Sequence, residues 1–364
     1  MKAFYIAETQ LNNKSAYSHH VIKMCDAFGQ NMIDITLIIP YEKKNINFSK
    51  LKKKFLLNSA KHFKIISILN SKIYNFIGRL KFSFKTYRYL KHKKNSLIIT
   101  RSLYVSVFLS FAKINHFLEI HTEQKSLTKF FLINLNFINS KYIIKVILIS
   151  KALEKLYNIN RKKVIILHDG VDPLNFKKKK NIKKIKEFTY IGSFYKGRGI
   201  ELILKLANRF KKINFNLYGK NDFKLKKEKN INIFNHVEYA KVPNILQKSD
   251  VLLMPYSNEV SINADNINTA NYCSPLKMFD YLASGKIIIS SKLDGITEVL
   301  KNKYNSLIVK KYQFEYWEKR INDLLNNKIN IKQICKNSLS TAEKYSWKNR
   351  VNKILNEYKK FNSE

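Results

Sequence analysis

The chain has 364 residues, 45% of them apolar, which is enough for two ordinary domains. Its formal charge is +42, yet no run approaches the ~18 uninterrupted apolar residues of a membrane-spanning helix. We expect the N-terminal residues to form a first strand and not a signal peptide. Three widely spaced cysteines match neither a disulfide framework nor a zinc pattern, and they fit a reducing cytoplasm.

Strand-like runs alternate with helical patterns along the whole chain. In the first half we predict strands at 2–8, 34–40, 63–69, 96–102, 116–122, 145–150 and 164–168. Helices at 15–28, 73–91 and 151–157 lie between them. In the second half the predicted strands are 188–193, 214–218, 231–234, 251–255, 286–290 and 306–309. This alternation predicts an α/β fold with two doubly wound parallel sheets, whose ligands bind at the carboxyl ends of the strands.

Several polar residues in the first half fall at predicted strand ends or in the first βα loop. Ser15 opens the first helix, and with nearby backbone N–H groups it is a candidate for binding a phosphate or an acceptor. Arg101 ends one strand and either faces an acidic acceptor or pairs with Glu119. His121 ends the next strand, where it is either a structural histidine or a ligand-contacting one.

The predicted helix 73–91 carries apolar residues at helical spacing with basic residues around them. Most such helices pack on a core. The alternative is an interfacial helix on anionic lipid. The high charge also has two explanations. One is an anionic partner surface. The other is a general compositional bias, since 60 of the 68 basic residues are lysines and they are spread along the chain. No aromatic and basic motif of a nucleic-acid module is present, so we expect no nucleic-acid partner.

Residues 190–199 run from a strand into a helix through three glycines, which let a backbone approach a phosphate closely. The spacing matches neither the dinucleotide fingerprint nor a Walker motif. A tight βα turn explains the glycines equally well.

Residues 274–285 are the most informative segment. Ser274 suits a helix N-cap, Pro275 the first helical position, and Gly285 the residue after the helix. The first turn of such a helix is an anion site. We expect the anion to contact Ser274, Pro275, Leu276 and Lys277. Asp280 lies roughly 7–8 Å further along the axis, where its carboxylate either accepts ribose hydroxyls or sits on a solvated face.

The pattern Ser-Pro-Leu-Lys-x-Phe-(Asp/Glu)-Tyr-x-Ala-x-Gly resembles the donor-binding segment of family-4 retaining glycosyltransferases. The resemblance covers most of the chain and is strongest over 190–300. It implies the GT-B fold, with two Rossmann-like domains facing a cleft. These are an acceptor domain at 1–172 and a nucleotide-sugar domain at 186–344, joined by a linker with a lysine run at 177–180. It also implies that a helix within 345–364 crosses back to the first domain.

The resemblance also implies roles for individual residues. Gly192 and Arg198 match the family's Gly-Arg-x₄-Lys-Gly segment, while Ser193 stands where many members carry Arg. These three residues, with the first turn at 274–277, are expected to hold the donor diphosphate, and Arg198 to stabilise charge on the leaving group. His121 is expected beside the transferred sugar, as a second catalytic residue.

Two acidic positions complete the comparison with the family. Asp280 corresponds to the ribose-binding acid, but Tyr272 stands where the family often carries a Glu eight residues earlier. Glu298 either contacts the nucleotide or lies in the first turn of a short helix, where negative charge is favourable.

The sequence thus predicts a retaining glycosyltransferase that needs no cofactor and no protein-bound metal. Its partners are expected to be a UDP- or GDP-sugar donor and a saccharide or lipid-linked acceptor of cell-surface glycan synthesis. We expect a cytoplasmic protein, with peripheral contact on the inner membrane face as an alternative. A GT-B nucleotide-sugar epimerase and a catalytically silent nucleotide- or saccharide-binding protein remain alternative functions, because Ser193 and Tyr272 depart from the family pattern.

Overall fold

A computed structural model describes most of the chain. The described residues are 1–11, 15–42, 46–73, 75–93, 95–124, 130, 135–157, 159–176, 184–220, 228–260 and 268–363. The chain forms two compact units. Unit 1 comprises Met1–His168 and Trp347–Glu364, and unit 2 comprises Asp169–Ser346.

Unit 1 is built on a seven-stranded sheet. Its strands are β1 Lys2–Ile6, β2 Asp34–Ile39, β3 Phe63–Ser67, β4 Leu97–Thr100, β5 His116–Ile120, β6 Ile143–Leu148 and β7 Val164–Ile166. The described helices before its last strand are α1 Ala16–Gln30, α2 Phe48–Phe55, α3 Phe76–Leu90, α4 Leu103–Phe111 and α5 Lys151–Glu154. The strand order is β3-β2-β1-β4-β5-β6-β7, and all neighbours are parallel. Strands β4 and β5 are buried along their whole length, as expected for a sheet covered on both faces.

Unit 2 is built on a six-stranded parallel sheet of order β10-β9-β8-β11-β12-β13. Its strands are β8 Glu187–Ile191, β9 Asn214–Tyr218, β10 Ile231–Phe234, β11 Val251–Met254, β12 Ile287–Ser291 and β13 Leu307–Val309. Its described helices are α6 Ile200–Arg209, α7 Val242–Lys248, α8 Leu276–Ser284, α9 Asp294–Thr297, α10 Phe314–Leu325 and α11 Ile331–Lys344. One core contains Phe188, Phe215 and Trp317, and another contains Leu252, Phe279 and Ile288.

The last described helix, α12 Trp347–Ser363, belongs to unit 1 although it follows unit 2 in the chain. Trp347, Val351 and Ile354 are fully buried at helical spacing, so one face of α12 packs on the unit. Lys145 Nζ on β6 lies 3.1 Å from the carboxylate of Glu357 on α12.

The prediction of two doubly wound parallel sheets is confirmed. In both sheets the strand order reverses beside a central strand, β1 in unit 1 and β8 in unit 2. Ligands bind such sheets at the carboxyl ends of the strands near this reversal. The predicted lysine run at 177–180 lies outside the described residues.

Candidate functional site

The glycine-rich turn after β8 is shaped by close contacts between backbone segments. Gly197 and Gly199 have φ of +81° and +77°. A Cβ at Gly197 would lie 1.5 Å from the carbonyl oxygen of Glu259, and one at Gly199 would lie 1.8 Å from that of Pro255. These two glycines are therefore required by the neighbouring 255–259 segment, which supports the explanation by a tight βα turn.

Gly192 serves a different purpose, because it makes room for a lysine. A Cβ at Gly192 would lie 2.3 Å from Lys277 Nζ. That ammonium group lies 3.8 Å from the centroid of the Tyr190 ring and 5.5 Å from that of Tyr256. It is buried and has no hydrogen-bond partner among the described residues. Lys277 is thus held over aromatic faces, where a cation is attracted but its donors stay unused.

Arg198 adds a second cation to this cluster. Its guanidinium carbon lies 5.0 Å from the Tyr256 ring centroid. Burial, and then the positive charge of Arg198, hold the pKa of the Lys277 amine well below its ordinary value. Because an anion bound here would offset both effects, the cluster of Gly192, Arg198 and Lys277 has the electrostatics of an anion site.

Helix α8 begins one residue later than predicted. Its first residue is Leu276 and its N-cap is Pro275, whose φ and ψ of −73° and 130° are extended. The prediction that Ser274 caps the helix was therefore wrong, and Ser274 is a buried residue two positions before it. The first two N–H groups of the helix, those of Leu276 and Lys277, still point out of the helix start, whereas that of Met278 donates to the carbonyl of Pro275 at 2.9 Å. The helix ends as predicted at Gly285, with φ of +66°.

Asp280, the predicted ribose acid, is buried on α8 with 8% of its surface exposed. Its Oδ1 accepts a hydrogen bond of 3.0 Å from the hydroxyl of Tyr239. Burial and the Asp280 charge raise the pKa of Tyr239 well above its usual value, so this hydroxyl remains a donor. The bond orients the carboxylate.

The remaining positions that the sequence singled out in unit 2 are Ser193, Glu298 and Tyr272. Ser193 is half-buried, and its backbone carbonyl accepts a 2.8 Å hydrogen bond from Tyr190. Glu298 follows the four-residue helix α9 as its C-cap, so the interpretation that it lies in the first turn was wrong. Tyr272, at the position of the missing acid, is a buried residue with 3% exposure.

In unit 1, Ser15 is the N-cap of α1. Its hydroxyl oxygen accepts a 3.2 Å hydrogen bond from the backbone N–H of Ser18. The hydroxyl of Ser18 in turn lies 2.9 Å from that of Thr9. The described contacts of Ser15 therefore support the helix start, and the predicted ligand role has no further observation behind it.

Glu119 is the centre of a buried network and does not line an open surface. Its carboxylate is fully buried. Oε1 lies 2.7 Å from His121 Nε2 and 2.9 Å from His20 Nε2, and it accepts a 2.8 Å hydrogen bond from Arg350. Oε2 accepts a 2.7 Å hydrogen bond from Tyr5. Four residues, from β1, α1, the position after β5 and α12, thus meet at the carboxylate that Glu119 carries on β5.

Arg101 lies close to this network but outside it. Its guanidinium carbon lies 4.0 Å from the Tyr17 ring centroid. The arginine that pairs with Glu119 is Arg350, so the alternative in which Arg101 takes that place was wrong. Arg101 acts on the network through its charge, which helps to lower the pKa of His121.

The sequence reasoning missed Tyr190, Tyr239 and Tyr256 in unit 2, and His20 and Arg350 in unit 1. A weak signal existed for His20, since it stands in the Ser-His-His run that opens α1. Arg350 follows the C-terminal tryptophan by three residues. Both contacts depend on the packing of distant elements, which spacing along the chain does not reveal.

Comparison with known proteins identifies unit 2. Residues 172–341 match the family model "Glycosyl transferases group 1", which spans nearly all of unit 2. This part of the chain is therefore similar to that family. An uncharacterized glycosyltransferase of Methanocaldococcus jannaschii is 23% identical over 221 residues, which are 57% of each chain. The chain thus spans just over half the length of this curated relative.

Solved structures show the same fold over the whole chain. A glycosyltransferase from Rickettsia africae ESF-5 matches with a TM-score of 0.75 at 15% identity, covering 99% of this chain and 98% of that one. The Anabaena protein HepE, in complex with UDP, matches with a TM-score of 0.75 at 12% identity, covering 99% of this chain and all of that one. The chain therefore has the GT-B fold.

Proposed function

We propose that the protein is a glycosyltransferase that moves a sugar from a nucleotide-diphosphate sugar to a saccharide or lipid-linked acceptor of cell-surface glycans, with retention of the anomeric configuration. Unit 2 takes the donor nucleotide. The fold supports this, and so does the family match of unit 2.

The observation that carries the proposal is the buried ammonium group of Lys277. It lies at the start of α8 with no hydrogen-bond partner among the described residues, and Arg198 lies within electrostatic reach. Burial without a hydrogen-bonding partner disfavours the protonated form of this amine, and an anionic ligand would restore its charge, so such a site is best explained by an anionic ligand. A diphosphate supplies several oxygens for the two cations and the first-turn N–H groups.

These groups also suit the chemistry of transfer. When the bond between the sugar and the diphosphate breaks, the bonding electrons stay with the diphosphate and negative charge builds on the departing oxygen. Lys277, Arg198 and the positive end of the α8 dipole, equivalent to roughly half a charge, stabilise that charge. Asp280 accepts hydrogen bonds from the ribose hydroxyls, and His121 in unit 1 contacts a sugar hydroxyl.

Uridine is the base we favour. The Anabaena HepE structure, which has the same fold, contains UDP. A thermal-shift panel of UDP-, GDP-, ADP- and CMP-sugars tests the choice, since a ligand that binds only the folded protein raises its melting temperature. We expect stabilisation by the UDP class and its loss in Lys277→Met. The exposed lysine Lys205 on α6 provides the matched control, Lys205→Met, which should bind normally. Equal stabilisation of wild type and Lys277→Met would contradict the assigned site.

Product analysis separates transfer from the alternatives. A transferase yields a glycosylated acceptor whose anomeric configuration, measured by NMR, equals that of the donor. An epimerase yields a changed sugar nucleotide without any acceptor. Binding of UDP-sugar with neither product over a panel of lipid-linked and free saccharides would indicate a silent binding protein.

A surface on unit 1 favours an acceptor held at a membrane. We call it the α3–α4 aromatic face, and it consists of Phe76, Phe84, Tyr104, Phe108 and Phe111. The rings of Phe76 and Tyr104 are 5.7 Å apart, and those of Phe84 and Phe108 are 6.5 Å apart. Phe111 is 81% exposed and lies on the same side of α4 as Phe108. Large apolar side chains exposed in a group mark an interaction surface.

The charge of this surface points to anionic lipid as its partner. Helix α3 carries Arg79, Lys81, Lys85 and Arg88, and neither α3 nor α4 contains an acidic residue. Aromatic side chains beside lysines and arginines are the composition of helices that lie in a membrane interface. No helix in the described part of the chain is long and apolar enough to cross a membrane.

Flotation with liposomes tests the lipid partner. We expect binding to vesicles with anionic lipid, weaker binding to neutral vesicles, and loss of binding in Phe84→Ser/Phe111→Ser. Tyr316→Ser removes a partly exposed aromatic residue on α10 of unit 2 and should bind as wild type does. Self-association through this face, seen by light scattering without any lipid binding, would assign it to a second copy instead.

A further inference from the structure

The network around Glu119 determines the chemical state of His121. Glu119 is buried, and burial by itself would raise the pKa of its carboxyl. The Arg350 guanidinium and the two histidines outweigh that effect and hold the pKa well below its ordinary value. Glu119 is therefore a carboxylate, which accepts hydrogen bonds and has none to donate.

The proton on His121 follows from this. Its Nε2 lies 2.7 Å from Glu119 Oε1, so Nε2 must be the protonated nitrogen. Burial, with the charge of Arg101, lowers the pKa of His121 to about 3, so the ring is neutral at physiological pH. A neutral ring protonated at Nε2 carries a lone pair at Nδ1.

We propose that Glu119 is a positioning residue that holds His121 as the Nε2–H tautomer, so that its Nδ1 is left to accept a hydrogen bond from a sugar hydroxyl. Arg350 and Tyr5 hold Glu119 in turn. The sugar role of His121 rests on the proposed function, whereas the tautomer rests only on the network. A hydroxyl fits because it can donate a hydrogen bond to Nδ1. A phosphate or carboxylate oxygen has no proton to donate, so its lone pair would repel the lone pair on Nδ1.

Arg350 connects the Glu119 network to the C-terminal helix α12. Beside its bond to Glu119, Arg350 donates from Nε to the backbone oxygen of His168 at 2.9 Å and from Nη2 to that of Leu167 at 3.1 Å. The guanidinium is thus fixed on both sides. Helix α12 thereby sets the position of a carboxylate on β5 and, through it, the ring of His121.

The same side chains have the composition of a metal site, since one ligand atom from each of His20, Glu119 and His121 lies within 4.8 Å of the others. The Arg350 guanidinium, however, already donates to the same Glu119 oxygen that both histidines approach. A metal ion there would meet a buried positive charge and would have to displace it. We therefore infer a hydrogen-bond network and expect no metal ion at these residues.

Histidine ¹⁵N NMR of the full-length protein without substrate tests the tautomer directly. We expect the His121 Nδ1 signal at an unprotonated position and Nε2 at a protonated one, assigned by its absence in His121→Gln. Addition of Zn²⁺ alone should leave both signals unchanged. Protonation at Nδ1, or a zinc-induced shift, would overturn the proposal even if the protein proves to be a glycosyltransferase.

Kinetics test the positioning role. Glu119→Gln removes the charge that favours the Nε2–H tautomer, and Arg350→Lys removes the fork that fixes Glu119. Both should lower kcat by about tenfold to a hundredfold, as small misplacements do, while the affinity for free UDP stays unchanged. Both should also populate the second tautomer in the NMR spectrum.

The matched control for these variants is Glu357→Gln, which removes another contact of α12 with the sheet, the pair with Lys145, and should leave kcat and the tautomer unchanged. A wild-type kcat in folded Glu119→Gln would overturn the positioning role. Where a variant fails to fold, the wild-type spectrum still decides the tautomer. Failure of the proposed function has a different signature, because UDP binding and transfer would then be absent in the wild-type protein.

Discussion

Two buried basic side chains in this protein have opposite surroundings. Arg350 in unit 1 meets a carboxylate, Glu119, and two backbone carbonyls. Lys277 in unit 2 meets two aromatic rings and the charge of a second cation, Arg198. The first cation is neutralised within the fold, and the second lacks a hydrogen-bonding partner among the described side chains.

This difference assigns Arg350 to the stability of the fold and Lys277 to ligand binding. Removing a neutralised cation destabilises the fold, because it leaves a buried charge without its counter-charge. A cation that stays unpaired is kept at a cost to stability, which suits a ligand that supplies the missing charge. Chemical denaturation, which measures the free energy of unfolding, tests this contrast.

The largest effect is expected for Arg350→Met. It leaves Glu119 buried without its guanidinium, and breaking a buried ion pair costs about 3–5 kcal/mol. The control Glu357→Gln affects a partly exposed pair on the same helix and should cost less than about 1 kcal/mol. A loss below 1 kcal/mol in Arg350→Met would show that the unit 1 network is not a stabilising one.

The second effect is loss of stability in mild acid. His121 and His116 have folded-state pKa values of about 3 and about 4, below the ordinary 6.5, because both rings are buried. Below pH 6.5 the unfolded chain therefore binds more protons than the folded chain, and stability falls with the pH. Above pH 6.5 these two histidines do not change the stability. Each histidine should lower the free energy of unfolding by about 2 kcal/mol between pH 7.5 and pH 5.

His121→Gln should reduce this loss by its own share of about 2 kcal/mol. His116 serves as the internal comparison, since it lies outside the Glu119 network and bonds to Ser106 and the backbone of Ile114. The same acid loss in His121→Gln as in wild type would show that His121 is charged in the folded protein.

The third effect concerns Tyr239→Phe, which removes the hydrogen bond to Asp280. A hydrogen bond to a charged group contributes about 1.5 kcal/mol or more, so we expect a loss near that value. Affinity for a UDP-sugar should fall as well, because the carboxylate loses the hydrogen bond from Tyr239 that orients it. Full affinity with reduced stability would mean that Asp280 needs no support to act, or does not bind the ribose.

The smallest effect is expected for Lys277→Met. Methionine keeps the apolar contacts with Tyr190 and Tyr256 and removes an unpaired amine, so stability should change by less than about 1 kcal/mol or increase. Stabilisation by UDP-sugar should disappear at the same time. A loss of several kcal/mol without ligand would place Lys277 in the same class as Arg350 and remove the contrast.

Much of the fold was readable from the chain. The alternation of strands and helices predicted both parallel sheets, and Gly285 ends α8 at the predicted position with positive φ. These features depend on local periodicity and on the conformational preference of single residues. The start of α8 was misplaced by one residue, because Pro275 has an extended ψ of 130° and is the N-cap instead of the first helical residue.

The features of the candidate sites also fall into those that the sequence determines locally and those that packing decides. The chain by itself determined two doubly wound sheets, the position of the helix that carries Lys277 and Asp280, and the placement of His121 at a strand end, because these follow from residue order and local geometry. Only the tertiary structure decided that Gly192 makes room for Lys277, that Tyr239 holds Asp280, and that Arg350 neutralises Glu119 from 231 residues away. Such contacts join residues that no short-range pattern relates, and burial, which sets their charge states, exists only once the elements have packed.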